Sequence, residues 1–509
     1  MGTTAQKLQA ILDSKADIAA ALEEKHAVVP ETLAEYGDAI RTISQNDAPN
    51  IRNPVKFVDY DGTLLYSYSL ADAAALSELP DPPSHDGLTS QGWNYTLAQM
   101  KSQASSMGSC TVGCNYVTTD GATRIRIKVR DPVHNDFRIN FTQSVSKGVE
   151  VDWGDGTVET FTGTSAAVRT HTYSPSEYPT EYTIALTPNS GTLRFTTNIC
   201  GYTTQNTTNP AGGYCSMIES VKLGAVTSIG NYMFYYCSSL QSISISSGVT
   251  SIGSSAFNSC YSLQSISISS GVTSIRDNVF SNCCSLQSVS IPSGVTSIGN
   301  YVFSNCYSLQ SISIPSSVTS IGTYVFYYCS SLQSVSIPSG VTSIGNYVFS
   351  NCSSLKSISI PSSVTSIGTY VFSSCSSLQS VSIPSGVTSI GGSTFSYCSS
   401  LKSVSIPSGV TSIGSGVFSY CYSLQSVSIP SGVTSIGGST FSNCSSIRVY
   451  DFSNHAAVPS LPYVNAFTNT STTKKIVVPD SLYDSWKAAS NWSSTTNNIV
   501  NCIVKASEA

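Results

Sequence analysis

Thiols at fixed spacing can clamp a metal or close disulfides, and this chain of 509 residues carries 16 cysteines. Eleven fall in one series: Cys215, Cys237, Cys260, Cys283, Cys306, Cys329, Cys352, Cys375, Cys398, Cys421 and Cys444. Disulfide and metal frameworks need cysteines that converge in pairs or fours. A constant interval instead sets these side chains in parallel, one per repeat, about 4.8 Å apart. A disulfide prefers a Cβ separation of roughly 3.8 Å, so every link along such a column would be strained. The five histidines, His26, His85, His134, His171 and His455, are scattered and offer zinc no cluster. The series therefore predicts buried free thiols packing as small hydrophobes, and no metal or cofactor is expected. Cys110 and Cys114 lie outside it and could pair with each other or with nothing.

What positions these thiols is a 23-residue unit, copied nine times from Leu240 to Ser446 without insertion or deletion. Leucine recurs at the same interval from Leu240 to Leu424, and phenylalanine from Phe234 to Phe441. The alternation Val335-Ser336-Ile337 has the period of a half-buried strand, and Pro338 and its equivalents end that strand. Each coil is thus expected to give one short strand to a long parallel sheet. One coil cannot bury its side chains alone, but two neighbours cover each, at roughly 1.5–3 kcal/mol per large apolar residue. The repeat, L-x-x-[IV]-x-I-P-x-x-V-x-x-I-x-x-x-x-F-x-x-C, resembles the BspA-type subclass of leucine-rich repeats. That resemblance implies a solenoid, surface attachment and recognition, and no catalytic role.

Core letters hardly change between copies, whereas the positions beside the phenylalanine do. Two before it stand Tyr301, Tyr324, Tyr347 and Tyr370, and two after it Tyr328, Tyr397 and Tyr420, with Ser, Asn or Gly in most other copies. This is the vocabulary of recognition loops, in which tyrosine gives rigid amphipathic area and the small residues adaptable hydrogen bonds. Tolerant surface turns would look similar. The seven tyrosines are the candidate ligand-binding residues, forming an uncharged strip for a repetitive polymer such as a polysaccharide.

One motif suggests catalysis. Val55-Lys56-Phe57-Val58-Asp59-Tyr60-Asp61-Gly62-Thr63-Leu64 fits the D-x-D-G-T signature of haloacid-dehalogenase-like phosphatases. That resemblance would make Asp59 the nucleophile and Asp61 the acid/base. The lysine and second acidic pair such chemistry needs should follow on later strands of an α/β domain, yet the chain turns to prolines by Pro80 and to β-pattern by Val117. The competing reading is a hairpin, Val55–Tyr60 with Thr63–Tyr68, around the Asp61-Gly62 turn. Running on to Gly92-Trp93, this stretch resembles the β-grasp-like repeats named after the internalin B-repeat. Farther on, Val151-Asp152-Trp153-Gly154-Asp155-Gly156-Thr157 and His171-Thr172-Tyr173 resemble the polycystic-kidney-disease (PKD) type of immunoglobulin-like sandwich. That resemblance puts Trp153 in the core and has Asp155 brace the turn, with a weak calcium site as the alternative. It also implies a domain that spaces and presents others.

Ahead of these modules, Leu8, Ile11, Lys15, Ile18 and Leu22, then Leu33, Tyr36, Ile40 and Ile43, trace narrow helical stripes suited to self-association or docking. The wording of this segment is similar to N-termini of phage and prophage tail proteins, which implies contact with tail or baseplate proteins and a homotrimer. The expected fold is mainly β: residues 1–48 a helical docking segment, 51–105 β-grasp-like, 106–205 an immunoglobulin-like sandwich, 214–452 the solenoid, and 453–509 its C-terminal cap.

A net charge of −5 with 10% charged residues gives no electrostatic footprint for nucleic acid or an anionic membrane. Between Leu240 and Ser446 the charges are Arg276, Asp277, Lys356 and Lys402. No run of eighteen apolar residues predicts membrane insertion, and the charged first twenty-five residues predict no secretory core. The expectation is a non-enzymatic receptor-binding protein of a phage or prophage tail, located in the virion and binding a bacterial surface polysaccharide or surface protein. The alternative is a cell-surface adhesin.

Overall fold

The computed structural model describes residues 53–144, 146–195, 198–201, 214–224 and 226–509. The N-terminal helices, the trimer they were expected to form and the linker at 203–213 lie outside the described residues.

Strand β1 (Val55–Val58) turns at Asp61-Gly62 into β2 (Leu64–Tyr68), an antiparallel hairpin as the D-G turn predicts. After α1 (Leu70–Ala75), β3 (Leu88–Trp93) and α2 (Leu97–Met107) comes β4 (Cys110–Thr118), which pairs parallel with β1 and antiparallel with β3. The sheet order is β2-β1-β4-β3. The boundary expected at 105 is therefore corrected: β4 belongs to the first sheet, and the small domain runs through Thr118. Sequence pattern marks a strand, not which sheet it joins.

Seven strands follow: β5 (Thr123–Val129), β6 (Asp136–Gln143), β7 (Val149–Asp152), β8 (Val158–Phe161), β9 (Ala167–Thr172), β10 (Thr180–Pro188) and β11 (Leu193–Arg194). They form two sheets, β11-β6-β9 and one containing β5-β10-β7-β8. Trp153 is fully buried among Ile125, Ile127, Phe137, Phe141 and Leu186. Asp155 accepts from Thr157 N–H at 3.0 Å and meets His171 Nε2 at 2.7 Å, so it braces the turn. Burial works against its ionisation, but these bonds win and hold the carboxyl below its usual range.

The second sheet does not end at β5. It continues antiparallel into β12 (Ile218–Lys222), and β12 pairs parallel with β14 (Ser242–Ser244), the first strands of the solenoid; β13 (Ser228–Ile229) lies between them in the chain. One buried core runs from Ile125 through every coil to Ile503. The sandwich thus caps the solenoid's open end rather than spacing it, because an exposed terminal coil would leave a ladder of backbone groups and half its apolar side chains in water.

From there the chain is a solenoid of about 12 turns. Most coils give two short strands where the alternation predicted one. The first ladder is expected, for example Ser265–Ser267 on Ser288–Ser290 and Ser380–Ser382 on Ser403–Ser405. The second joins Ser274–Ile275, Ser297–Ile298 and Ser320–Ile321; two-residue strands carry no readable period. A third column comes from the phenylalanine turn, where Phe326 N–H donates to Val348 C=O at 2.8 Å and Tyr328 N–H to Ser350 C=O at 2.9 Å. At the far end the parallel ladder continues through Val449–Asp451, Lys475–Val478 and Ile503–Lys505, covered by buried Trp486 and Trp492.

Candidate binding surfaces

All 16 cysteines are free, and the thiols of the repeat column are buried. Cys110 and Cys114 lie four residues apart on one strand, about 13 Å, beyond the reach of a disulfide. Packing alone does not account for the column. Cys352 Sγ donates to Phe326 C=O of the preceding coil at 3.2 Å, and the same bond recurs from Cys260 to Cys444. That carbonyl also accepts Cys329 N–H at 3.1 Å, so both its lone pairs are used. Burial pushes these thiols up, Cys444 to about 12 and Cys260, Cys306 and Cys352 well above the ordinary value. They are structural and unreactive.

Asp59 and Asp61 are likewise held by structure. Asp59 is 4% exposed, meets His85 Nε2 at 2.7 Å and accepts Tyr60 N–H, while Asp61 accepts Thr63 N–H across the hairpin. The turn uses both carboxylates.

The tyrosine columns occupy an unusual backbone. The positions two before and two after the phenylalanine are left-handed in every complete coil, with φ of 57° at Tyr301, 58° at Tyr324, Tyr328 and Tyr347, and 60° at Tyr397. Asn, Ser and Gly there follow from the backbone, since glycine carries no Cβ and short polar side chains tolerate αL. Tyrosine does not, because a non-glycine residue there costs roughly 1–2 kcal/mol. Stacking returns about 0.5–1.5 kcal/mol per pair. Tyr301, Tyr324, Tyr347 and Tyr370 stack at 4.6, 4.5 and 4.7 Å, nearly parallel. The two effects roughly cancel, so stability does not select tyrosine over asparagine at these positions.

Of the seven candidates, four form this ladder and Tyr397 with Tyr420 form a separate pair at 4.3 Å. Tyr328 has asparagines above and below, at Asn305 and Asn351. Its link to the ladder is Tyr327, edge-on to both Tyr324 and Tyr328, a residue the sequence reading missed. The signal was available: Tyr327 stands in a column otherwise mostly Ser or Asn. Stacking also covers the inner ring faces, so the ladder presents edges and hydroxyls. Burial and the neighbouring phenols keep Tyr324 protonated above its ordinary range.

A second surface is the serine-lined strand face. Over four consecutive coils the small domain lies on it in register, because the carbonyls of Ile245, Ile268, Ile291 and Ile314 recur every 23 residues. They accept, in order, from Asn115, Asn94, Tyr95 and Gln103, at 2.7–3.2 Å. Gly113 makes the approach possible: a Cβ there would sit 2.2 Å from Ser267 Oγ. Ser244, Ser267, Ser290 and Ser313 are buried as a result, while their counterparts Ser359, Ser382, Ser405 and Ser428 stay exposed. Where the small domain ends and the open face begins lies a cleft of 460 Å³, lined by residues that include Lys56, Met107, Ser313, Gln333 and Lys356. No residue of this face was among the sequence candidates.

A model described as "BspA type Leucine rich repeat region (6 copies)" matches residues 212–333 and 319–448. A leucine-rich cell surface protein of Faecalibacterium prausnitzii is 32% identical over 45% of this chain and 78% of its own, with a TM-score of 0.30. The chain belongs to the BspA-type leucine-rich repeat family. A leucine-rich repeat protein of T. pallidum is 36% identical over 31% of this chain and 72% of its own, at a TM-score of 0.29. One from Bacteroides ovatus is 26% identical over 52% and 91%, at 0.33. The assignment rests on repeat sequence, not on whole-chain superposition. A comparison with curated proteins returned no match. Among the described residues no helix of this BspA-type protein is long and apolar enough to cross a membrane.

Proposed function

We propose that this chain is a non-enzymatic recognition protein that attaches to a surface polysaccharide at a cell surface, through the tyrosine ladder beside the phenylalanine turn. The observation that carries this is the placement of half-exposed tyrosines, 38% at Tyr301 and 39% at Tyr370, on left-handed backbone. Asparagine would serve the fold as well, so the ring edges and hydroxyls are retained for what they meet outside. An uncharged row of hydroxyls at coil spacing suits a neutral polymer. Its ligand would be held by hydrogen bonds and ring edges, since the inner faces are taken. The F. prausnitzii relative, itself described as a cell surface protein, supports the location.

The narrower reading, a phage or prophage tail protein trimerised and docked through residues 1–48, is supported by the wording of that segment alone. The test replaces Tyr301, Tyr324, Tyr347 and Tyr370 together with Asn. The variant is expected to melt within a few degrees of the native chain and to lose binding to whole bacterial cells and to arrayed neutral glycans. Full retention of binding would remove the ladder from the site.

A further inference from the structure

The tyrosine ladder has two ends, and they differ. Rings stacked coil on coil cover each other's faces, so at Tyr370 the face left over is the one turned toward the next coil. That coil carries Ser393 in the same column and the one after it Gly416, both on left-handed backbone like the tyrosines, with φ of 55° and 67°. Neither residue reaches across a ring. The spacing of 4.5–4.7 Å that seats one tyrosine on the next therefore leaves room for a further six-membered ring against Tyr370. Beside this space the second tyrosine column begins: Tyr397 shares a coil with Ser393, and Tyr420 with Gly416. The two stack at 4.3 Å, and Tyr397 is 50% exposed. The gap between the columns is one ring wide, because Tyr327 fits edge-on between Tyr324 and Tyr328, whereas Ser396 and Ser419 take its place here. At the other end of the ladder Tyr301 faces Asn278, whose coil carries Asn282 in the second column.

We propose that the outer face of Tyr370, walled by Tyr397 and Tyr420, seats one pyranose ring of a β-linked, all-equatorial glycan. This rests on the reading of the ladder as a glycan-binding surface, and fixes where on it, and for which sugar, contact is closest. Such a ring has axial C–H groups on both faces and hydroxyls around its rim. Its faces match the bare end of the ladder, where the π face is apolar and carries partial negative charge. Its rim matches the phenol hydroxyls of the side wall, each both donor and acceptor. A purely aromatic ligand would fill the space but leave those hydroxyls unused. No acidic residue stands on the coils from Leu355 to Gln425, and their two lysines, Lys356 and Lys402, adjoin the repeat leucines rather than the phenylalanine turn, so the site suits an uncharged sugar.

The test titrates the full chain calorimetrically with cellohexaose. A fructan hexamer, built of five-membered rings, and a tryptophan dipeptide serve as comparisons. Cellohexaose should bind at least about tenfold more tightly than either. Tyr370→Asn should weaken it about tenfold, Tyr397→Ser about threefold, and Tyr301→Asn less than about twofold. Tyr301→Asn and Tyr370→Asn each remove one terminal ring and one stacked pair, so lost stacking by itself would act equally in both. All three variants should fold, since Asn278 and Ser374 hold the same positions in other coils. An equal effect of Tyr301→Asn and Tyr370→Asn would overturn the end site and leave the ladder as the binding surface. Cellohexaose that fails to bind, or binds no more tightly than the fructan or the dipeptide, would also overturn the end site alone. Cell and glycan binding that survives the four-tyrosine variant would overturn both readings.

Discussion

The strand face of the solenoid carries the same repeated serines along its length, but in two environments. Coils from Ser242 to Ser316 are covered by the small domain, and those from Ser334 onward are open. In the covered half Ser290 Oγ donates to Thr111 C=O at 2.8 Å and accepts from Asn94 at 2.8 Å, whereas Ser405 in the open half faces solvent. The inward columns do not notice the difference, and Cys283 and Cys398 make the same bond to the preceding coil, at 3.2 and 3.1 Å. Repetition therefore sets the inside of every coil alike, and docking decides what its outside does.

The largest effect should come from what the halves share. A thiol whose folded pKa is raised contributes stability that is complete below its unfolded value, about 8.5, and is lost as pH rises through the folded one. Each buried thiol from Cys260 to Cys444 should cost about 1.4 kcal/mol per pH unit above that point. Stability should be level from pH 6 to 8 and collapse by pH 10–11, both halves melting together in calorimetry. A melting temperature unchanged at pH 10.5 would contradict the burial of the column.

Next comes a substitution that separates the halves. Ser290→Glu places a carboxylate against Thr111 and Asn94 and should cost roughly 3–5 kcal/mol or detach the small domain, while Ser405→Glu should stay within about 0.5 kcal/mol. Equal melting temperatures for the two variants would show that the domain does not cover this face.

The smallest effect has the opposite sign. Ser267 Oγ is buried beneath Gly113 without a hydrogen-bond partner. Ser267→Ala should therefore stabilise by about 1 kcal/mol, and Ser382→Ala on the open half should be neutral. Destabilisation by Ser267→Ala in urea unfolding would mean that its hydroxyl is hydrogen-bonded after all.

The repeat determined most of this protein by itself. An interval of 23 residues fixes that Leu stacks on Leu, Phe on Phe and Cys on Cys, because identical coils in register bring identical atoms together. That made the solenoid, its core and its free thiols legible, along with the columns to which the tyrosines belong. The D-G hairpin and buried Trp153 were legible for a similar reason, being set by residues close in the chain. Three things were not. The left-handed backbone at Tyr324 and Tyr328 follows from turn geometry, and only the Asn, Ser and Gly in the same columns hinted at it. The thiol-to-carbonyl bonds need the offset between coils, which an interval does not contain. The seating of Asn94, Tyr95, Gln103 and Asn115 on four consecutive carbonyls joins residues more than a hundred positions apart. It depends on a close approach that Gly113 permits and no local pattern encodes, so only the tertiary structure could decide which half of the strand face is left open.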